Sequence, residues 1–224
     1  MALLAAKMSK KGEAAALEGV AQFLEPQLSA LGGSGTESLA GHDLAAPHEV
    51  YTLDLDQLGK KLKGAKSTGW RYFVMSGDHA VAAAEVDRPA KGTTEAPTFS
   101  NLNMGGFVAS SLAALKTAEE LPMVQREDFQ FRLLQIPALH VMALWLHGKT
   151  HDLLLPLVPT DTDGLGAGAA QATPVLSPAE FFDSMTARAE SVARFDDSPE
   201  ASRQKQSSDA PLGGAAPAKQ KKHS

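Results

Sequence analysis

No cysteine occurs anywhere in the 224 residues. That absence excludes disulfides, thiolate metal sites and a cysteine nucleophile together, while leaving the compartment open. Aromatic residues are scarce, at 6% of the chain. No apolar run is long enough to span a bilayer: the longest window, Ile136 to Leu146, is short and contains His140. The N-terminal MALLAAKMSKKG places its apolar patch before its lysines, the reverse of a secretory signal. Basic excess is missing too, since the net charge is −5. The charge is also uneven. Residues 199–224 carry five bases and two acids, which leaves 16 bases and 24 acids for the rest. An acidic body argues against a broad nucleic-acid-binding face. The expectation is a cytoplasmic protein with no membrane span and no nucleic-acid partner.

What is present is core. Hydrophobic residues make up 43% of the sequence and charged residues 21%, enough for one globular domain. The densest apolar stretch runs from Phe129 to Pro159 and holds three of the seven histidines. Exposed, such a run would aggregate, so it marks the centre of a fold.

Residues 1–31 read as an amphipathic helical segment, with Leu17, Val20, Leu24, Leu28 and Leu31 on one stripe. Pro26 should break or kink it near Glu25. Residues 32–48 are small, polar and glycine-bearing, and read as a linker. The body is expected over residues 49–197. A strand at Val50–Leu53 precedes a helix over Leu55–Leu62, capped by Asp54 or Asp56. Strands follow at Trp70–Met75 and Ala80–Val86, joined by a Gly77-Asp78 turn. Residues 87–98 form a loop. A helix over Phe107–Leu121 carries Val108, Leu112 and Leu115 inward, and Pro122 stops it. Phe129–Ile136 is a strand. Leu139–Leu146 suits strand or helix by periodicity, and the Gly148 turn that follows favours strand. Leu153–Val158, with prolines 156 and 159, belongs at a sheet edge. Residues 160–173 form a loop. Ser177-Pro178-Ala179-Glu180 is a capping box that opens a helix to about Arg194. The tail, residues 198–224, is expected to be disordered. The whole reads as an α+β domain, with a mostly antiparallel sheet of five or six strands and helices largely on one face. Within this layout Phe131, Leu133, Val141, Leu144, Leu154 and Phe182 are core candidates.

Chemistry is sparse. His147, His151 and Asp152, with His140 nearby, are the one group with metal-ligand side chains. On a strand, His140 and His147 differ by an odd number and face opposite sides, which counts against a shared site. Asp161-Thr162-Asp163-Gly164 resembles half of a calcium loop, but Leu165–Ala170 supplies no distal carboxylate. Gly105-Gly106 could offer backbone donors to an anion, yet no phosphate-loop sequence surrounds it. Ser110 and Ser111 lack a nucleophile elbow. Lys60, Lys61, Lys63 and Lys66 with Arg71 form a basic patch that a solvated helix face explains as well. Lys219, Lys221 and Lys222 are too few for an address signal. No cofactor and no metal site is expected. The reading is a non-catalytic protein-interaction or structural module with a protein partner. The alternative is a small hydrolase or metal-dependent enzyme with its site near His147, His151 and Asp152.

Overall fold

The computed structural model describes residues 2–7, 9–30, 42–158 and 174–196. In chain order the elements are β1 (Leu3–Leu4), α1 (Lys10–Ala30), β2 (His42–Thr52), a 3-10 segment (Leu55–Gly64), β3 (Lys66–Ser76), β4 (His79–Asp87) and β5 (Thr98–Asn103). Then come α2 (Gly106–Glu119), β6 (Phe129–Ile136), a 3-10 turn (Pro137–Leu139), β7 (Val141–His147), β8 (Asp152–Leu157) and α3 (Pro178–Asp196). The fold is α+β. The strands form one eight-stranded sheet ordered β5-β4-β3-β2-β6-β7-β8, with β1 beside β6. Pairing is antiparallel except where β6 meets β1 and β2, which run parallel to it.

The sheet has more strands than the five or six expected because β1 and β5 join it, and β2 is longer than the strand expected at Val50–Leu53. β5, TFSNLN, is too polar to register as a strand from composition. The first half of β2 lies in the stretch read as linker, where Ala45, Ala46 and Pro47 hide it. At that point the β2–β3 register slips between Ala45 and His48, and Ala46 takes φ 47°. β2 pairs with β6 only beyond the slip, from Glu49 to Thr52. Leu3 and Leu4 occupy the place beside β6 opposite Phe129 and Gln130, and the Ala6 N–H donates to the Pro47 carbonyl at 2.8 Å. The chain's first residues are thus built into the sheet.

Helices cover both faces, not largely one. On one face α2 packs through Val108, Ala114, Leu115 and Ala118 against Phe73, Ala83, Phe131, Leu133, Leu144 and Leu155. On the other, α1 packs through Ala16, Val20 and Leu24 against Tyr72, Val74, Ala82, Ala84 and Val86. α3 covers the far end of that second face, with Phe181, Phe182 and Met185 against Leu134, Ala143, Trp145 and Leu154. This arrangement explains the continuous apolar runs of β3 and β7, since strands buried on both faces need no alternation.

Several local expectations are corrected. The helix α1 starts at Lys10 and continues through position 26. Proline there supplies no N–H to the residue 22 carbonyl, so one intrahelical bond is forgone while the helix runs on. Its inward stripe is Ala16, Val20 and Leu24, whereas Leu17 is exposed. Residues 55–64 are 3-10 helix interrupted at Lys61 (φ 52°), not α-helix. Residues 141–147 are strand, as favoured. The 160–173 loop, the half calcium loop at residues 161–164 and the tail at 198–224 lie outside the described residues.

The capping box at α3 is formed in full. Glu180 Oε2 accepts from the Ser177 N–H at 2.8 Å and from its hydroxyl at 2.7 Å. The Glu180 N–H donates back to Ser177 Oγ at 3.3 Å. Just upstream, Leu176 makes a two-bond bridge to the β8 edge at Leu154, so α3 is anchored at its start.

Candidate functional site

The histidines divide between environments. His147 ends β7 and Asp152 opens β8, directly opposite it in register. Asp152 Oδ1 lies 2.7 Å from His147 Nδ1 and accepts from Trp145 Nε1 at 3.1 Å. His151 sits in the intervening turn. Its Nδ1 lies 2.8 Å from Thr150 Oγ1, its Nε2 lies 3.1 Å from Glu127 Oε1, and its ring meets the edge of Phe129. Phe129 belongs to the core under α2, while Trp145 belongs to the core under α3. The two histidine pairs therefore sit on opposite faces, and the expected cluster splits in two. Among the described residues no group of three or more His, Asp or Glu side chains is placed to hold a metal ion. His140 is exposed in the turn before β7, in left-handed backbone (φ 50°).

The other candidates carry little chemistry. Gly105 precedes α2 with φ 91° and, as a glycine, carries no capping side chain of its own. Ser111 is buried, and its hydroxyl donates to the Phe107 carbonyl at 2.7 Å, a bond within the helix. The basic patch loses Arg71. Lys60, Lys61 and Lys63 are exposed and Lys66 pairs with Asp54 at 3.2 Å, but Arg71 is only 1% exposed, inside the sheet.

Arg71 heads a buried polar group that sequence reasoning missed. It lies on the α2 face between His48 of β2 and Glu85 of β4, its register partners. Nη1 is 3.6 Å from Glu85 Oε1, and no guanidinium nitrogen has a hydrogen-bond partner. Glu85 Oε1 also accepts from Asn103 Nδ2 at 3.0 Å and Gln135 Nε2 at 3.4 Å. Burial raises the Glu85 pKa, and Arg71 pulls it back down. His48 lies between Phe73 and Phe131, ring centroids 5.5 and 5.4 Å away, with Nδ1 2.8 Å from the Ala46 carbonyl. Burial, helped by the Arg71 charge, lowers the His48 pKa to about 4, so its ring is neutral at pH 7.

A second group lies on the opposite face, where strand ends between α1 and α3 remain partly open. Arg132 of β6 stacks over Trp145 at 4.7 Å and Tyr51 at 5.0 Å. Its guanidinium donates to Gln130 Oε1 at 3.2 and 2.7 Å. Tyr51 donates its hydroxyl to Glu49 at 2.9 Å. Arg88 pairs with Glu49 at 2.6 Å and stacks over Trp70 at 4.2 Å. Trp70, Glu49, Tyr51, Arg132 and Gln130 are half-buried. The result is a continuous stripe of aromatic rings and guanidinium groups. A signal for both groups existed in the sequence: Arg71, Glu85 and Arg132 are single charges inside apolar strand runs, where a charge demands a partner.

Comparison with protein-family models, with curated proteins and with solved structures finds no match in any of the three. Among the described residues, no helix is long and apolar enough to cross a membrane.

Proposed function

We propose that the chain is a non-catalytic protein-interaction module whose contact surface is the stripe formed by Trp70, Arg88, Glu49, Tyr51 and Arg132, with the buried Trp145 ring beneath Arg132. The observation that carries this reading is Arg132. The residue is half-buried, its guanidinium lies over two rings, and its hydrogen bonds go to a neutral amide rather than a carboxylate. Rigid aromatic and arginine side chains are the residue types that dominate binding at protein interfaces. An arginine already immobilised by stacking loses little further entropy on binding. The charge left over suits an Asp or Glu side chain of the partner, with an apolar neighbour on the exposed ring edges.

A selection from a displayed random-peptide library, with the full chain as bait, tests this. Enriched peptides should carry an acidic residue beside an aliphatic or aromatic one. Their binding should fall at least about tenfold in Arg132→Ala, the range of a lost interface arginine. It should persist in Arg188→Ala, an exposed control on α3. Enriched peptides indifferent to Arg132→Ala would refute the assignment.

One observation favours the enzymatic reading. His147 Nδ1 is held by Asp152, which orients the ring as a base is oriented in hydrolytic triads. No hydroxyl nucleophile bonds to that ring among the described residues, so the base would have to act on water. Hydrolysis of an activated ester or phosphate, lost in His147→Ala with the fold retained, would move the assignment to this reading.

A further inference from the structure

A cavity of about 220 Å³ opens beside the buried polar group, lined by Val50, Thr52, Thr68, Glu85, Asp87 and Gln135, with Gly69, Trp70 and Val86 completing it. Its volume is below the range of about 300–1,000 Å³ for pockets that hold a whole ligand, so it suits one side-chain-sized group.

The hydrogen-bond inventory of the lining is lopsided. Gln135 Nε2 donates to Glu85 Oε1. Thr68 Oγ1 donates to the Val50 carbonyl at 3.4 Å. Thr52 and Thr68 hydroxyls are 3.3 Å apart, and with the Thr68 proton committed, Thr52 is the donor of that pair. Apart from the Trp70 indole N–H and the second Gln135 amide hydrogen, what remains on the side chains is acceptors: Glu85 Oε2, Gln135 Oε1, the Thr52 lone pairs and the Asp87 carboxylate. Oε1 of Glu85 already takes Asn103, Gln135 and the Arg71 charge, whereas Oε2 meets no donor among the described residues. Asp87 adds a second negative charge at the exposed rim. Arg71 offsets only one of the two from behind. Val50 supplies apolar wall, and Val86 borders the cavity with its backbone.

We propose that this cavity binds a primary ammonium group, with Glu85 Oε2, Gln135 Oε1 and Thr52 Oγ1 accepting its three hydrogens, Asp87 supplying long-range attraction, and Val50 covering the attached methylenes. Three donors, one positive charge and a narrow aliphatic stem complement this lining. A free alkylamine and a lysine side chain of a peptide share that chemistry. The assignment is tested separately from the peptide contact at Arg132, because the cavity does not include that residue, although Trp70 borders both.

The test is titration of the full, isotope-labelled chain followed by amide resonances, with n-butylammonium chloride and Nα-acetyl-lysine amide as separate probes. Both should shift Gly69, Val86, Asp87 and the Gln135 side-chain amide. Butylammonium alone doing so would assign the site to free amines, and the lysine amide binding more tightly would assign it to peptides. Glu85→Gln should weaken binding about tenfold and Asp87→Asn about two- to threefold, as expected for a contacting and a rim carboxylate. If Glu85→Gln does not fold, Asp87→Asn and Thr52→Val at the same cavity decide the matter. Equal shifts by the Nε-acetylated lysine amide, displacement of the amine by calcium at equal concentration, or affinity unchanged in the folded variants would each overturn the assignment.

Discussion

Arg71 and Arg132 are both lone cations inside apolar strands, and they lie on opposite faces of one sheet. Arg71 is 1% exposed, has no hydrogen-bond partner for any nitrogen, and relies on Glu85 at 3.6 Å. Arg132 is half-buried, twice bonded to Gln130 and placed over two rings. The difference follows from what lies above each. Arg71 is shut off from water, so the guanidinium depends on a counter-charge. Over Arg132 the face is partly open, so solvent satisfies what Gln130 does not. A buried charge is an obligation on stability, whereas a charge at an open face is available for recognition.

The largest test of that contrast removes the counter-charge. Glu85→Leu leaves Arg71 buried and unpaired, and should cost about 3–5 kcal/mol of unfolding free energy. The double variant Arg71→Met with Glu85→Leu should recover most of that loss, since an apolar pair of similar volume needs no partner. Urea unfolding of the three proteins measures both. A Glu85→Leu variant as stable as the parent would mean that Arg71 is solvated and that the contrast with Arg132 is illusory.

How much of this was legible in the sequence depends on which interaction set each feature. Phe131, Leu133, Leu144, Leu154 and Phe182 were named as core and are 4% exposed or less, because dense apolar runs have one stable destination. Val141 is only partly buried, at the start of β7. The α3 start was legible to the residue, because a capping box is local chemistry. β5 and the first half of β2 were not legible, since long-range pairing makes them strands and their composition does not. The helix distribution was misjudged for a related reason. Alanines at 82, 83 and 84 of β4 admit close packing on both faces, and sequence alone does not say which helix arrives where. Of the candidate site, the His147–Asp152 contact follows from hairpin register, but its separation from His151 follows from the two faces of the strands. Arg71, Glu85 and His48 were invisible as a group because residues 48, 71 and 85 meet only through strand register.

A smaller effect should appear with acid on the buried face. The His48 pKa is lowered to about 4 in the fold, against an unfolded value near 6.5. Between those values the unfolded chain binds the extra proton and the folded one does not, so stability falls as pH drops. The loss should approach about 3 kcal/mol by pH 4 and vanish above about pH 7. The groups facing His48 sharpen the sign. Burial disfavours the imidazolium most, the Ala46 carbonyl at Nδ1 favours it less strongly, Arg71 disfavours it, and Phe73 and Phe131 offer it no acceptor. Carboxylates elsewhere also titrate in this range, so the relevant quantity is the difference between the parent and His48→Leu. The Leu variant should show a shallower decline in stability between pH 6.5 and 4, followed by circular dichroism in urea. Parallel pH curves for the two proteins would place His48 in contact with water.

The smallest effect belongs to the open face. Arg132→Ala removes two stacking contacts and the bonds to Gln130, but leaves no buried charge behind. Exposed cation–aromatic contacts contribute about 0.5–1 kcal/mol, and the freed Gln130 amide can turn to solvent. The expected loss of stability is about 1 kcal/mol, well below that of Glu85→Leu, with Tyr51 and Trp145 still meeting edge to face at 5.0 Å. Arg132→Lys separates the charge from the plane. A lysine keeps the charge, yet its ammonium lacks the planar face that lies over the rings and the fork to one amide oxygen. Lys should therefore recover little of the stability lost to Ala. It should restore peptide binding only if charge, rather than the rigid planar group, is what a partner reads. Unfolding midpoints and peptide titrations on the same two variants separate these contributions. An Arg132→Ala loss as large as that of Glu85→Leu would place Arg132 among the buried structural charges and remove the basis for treating this face as a recognition surface.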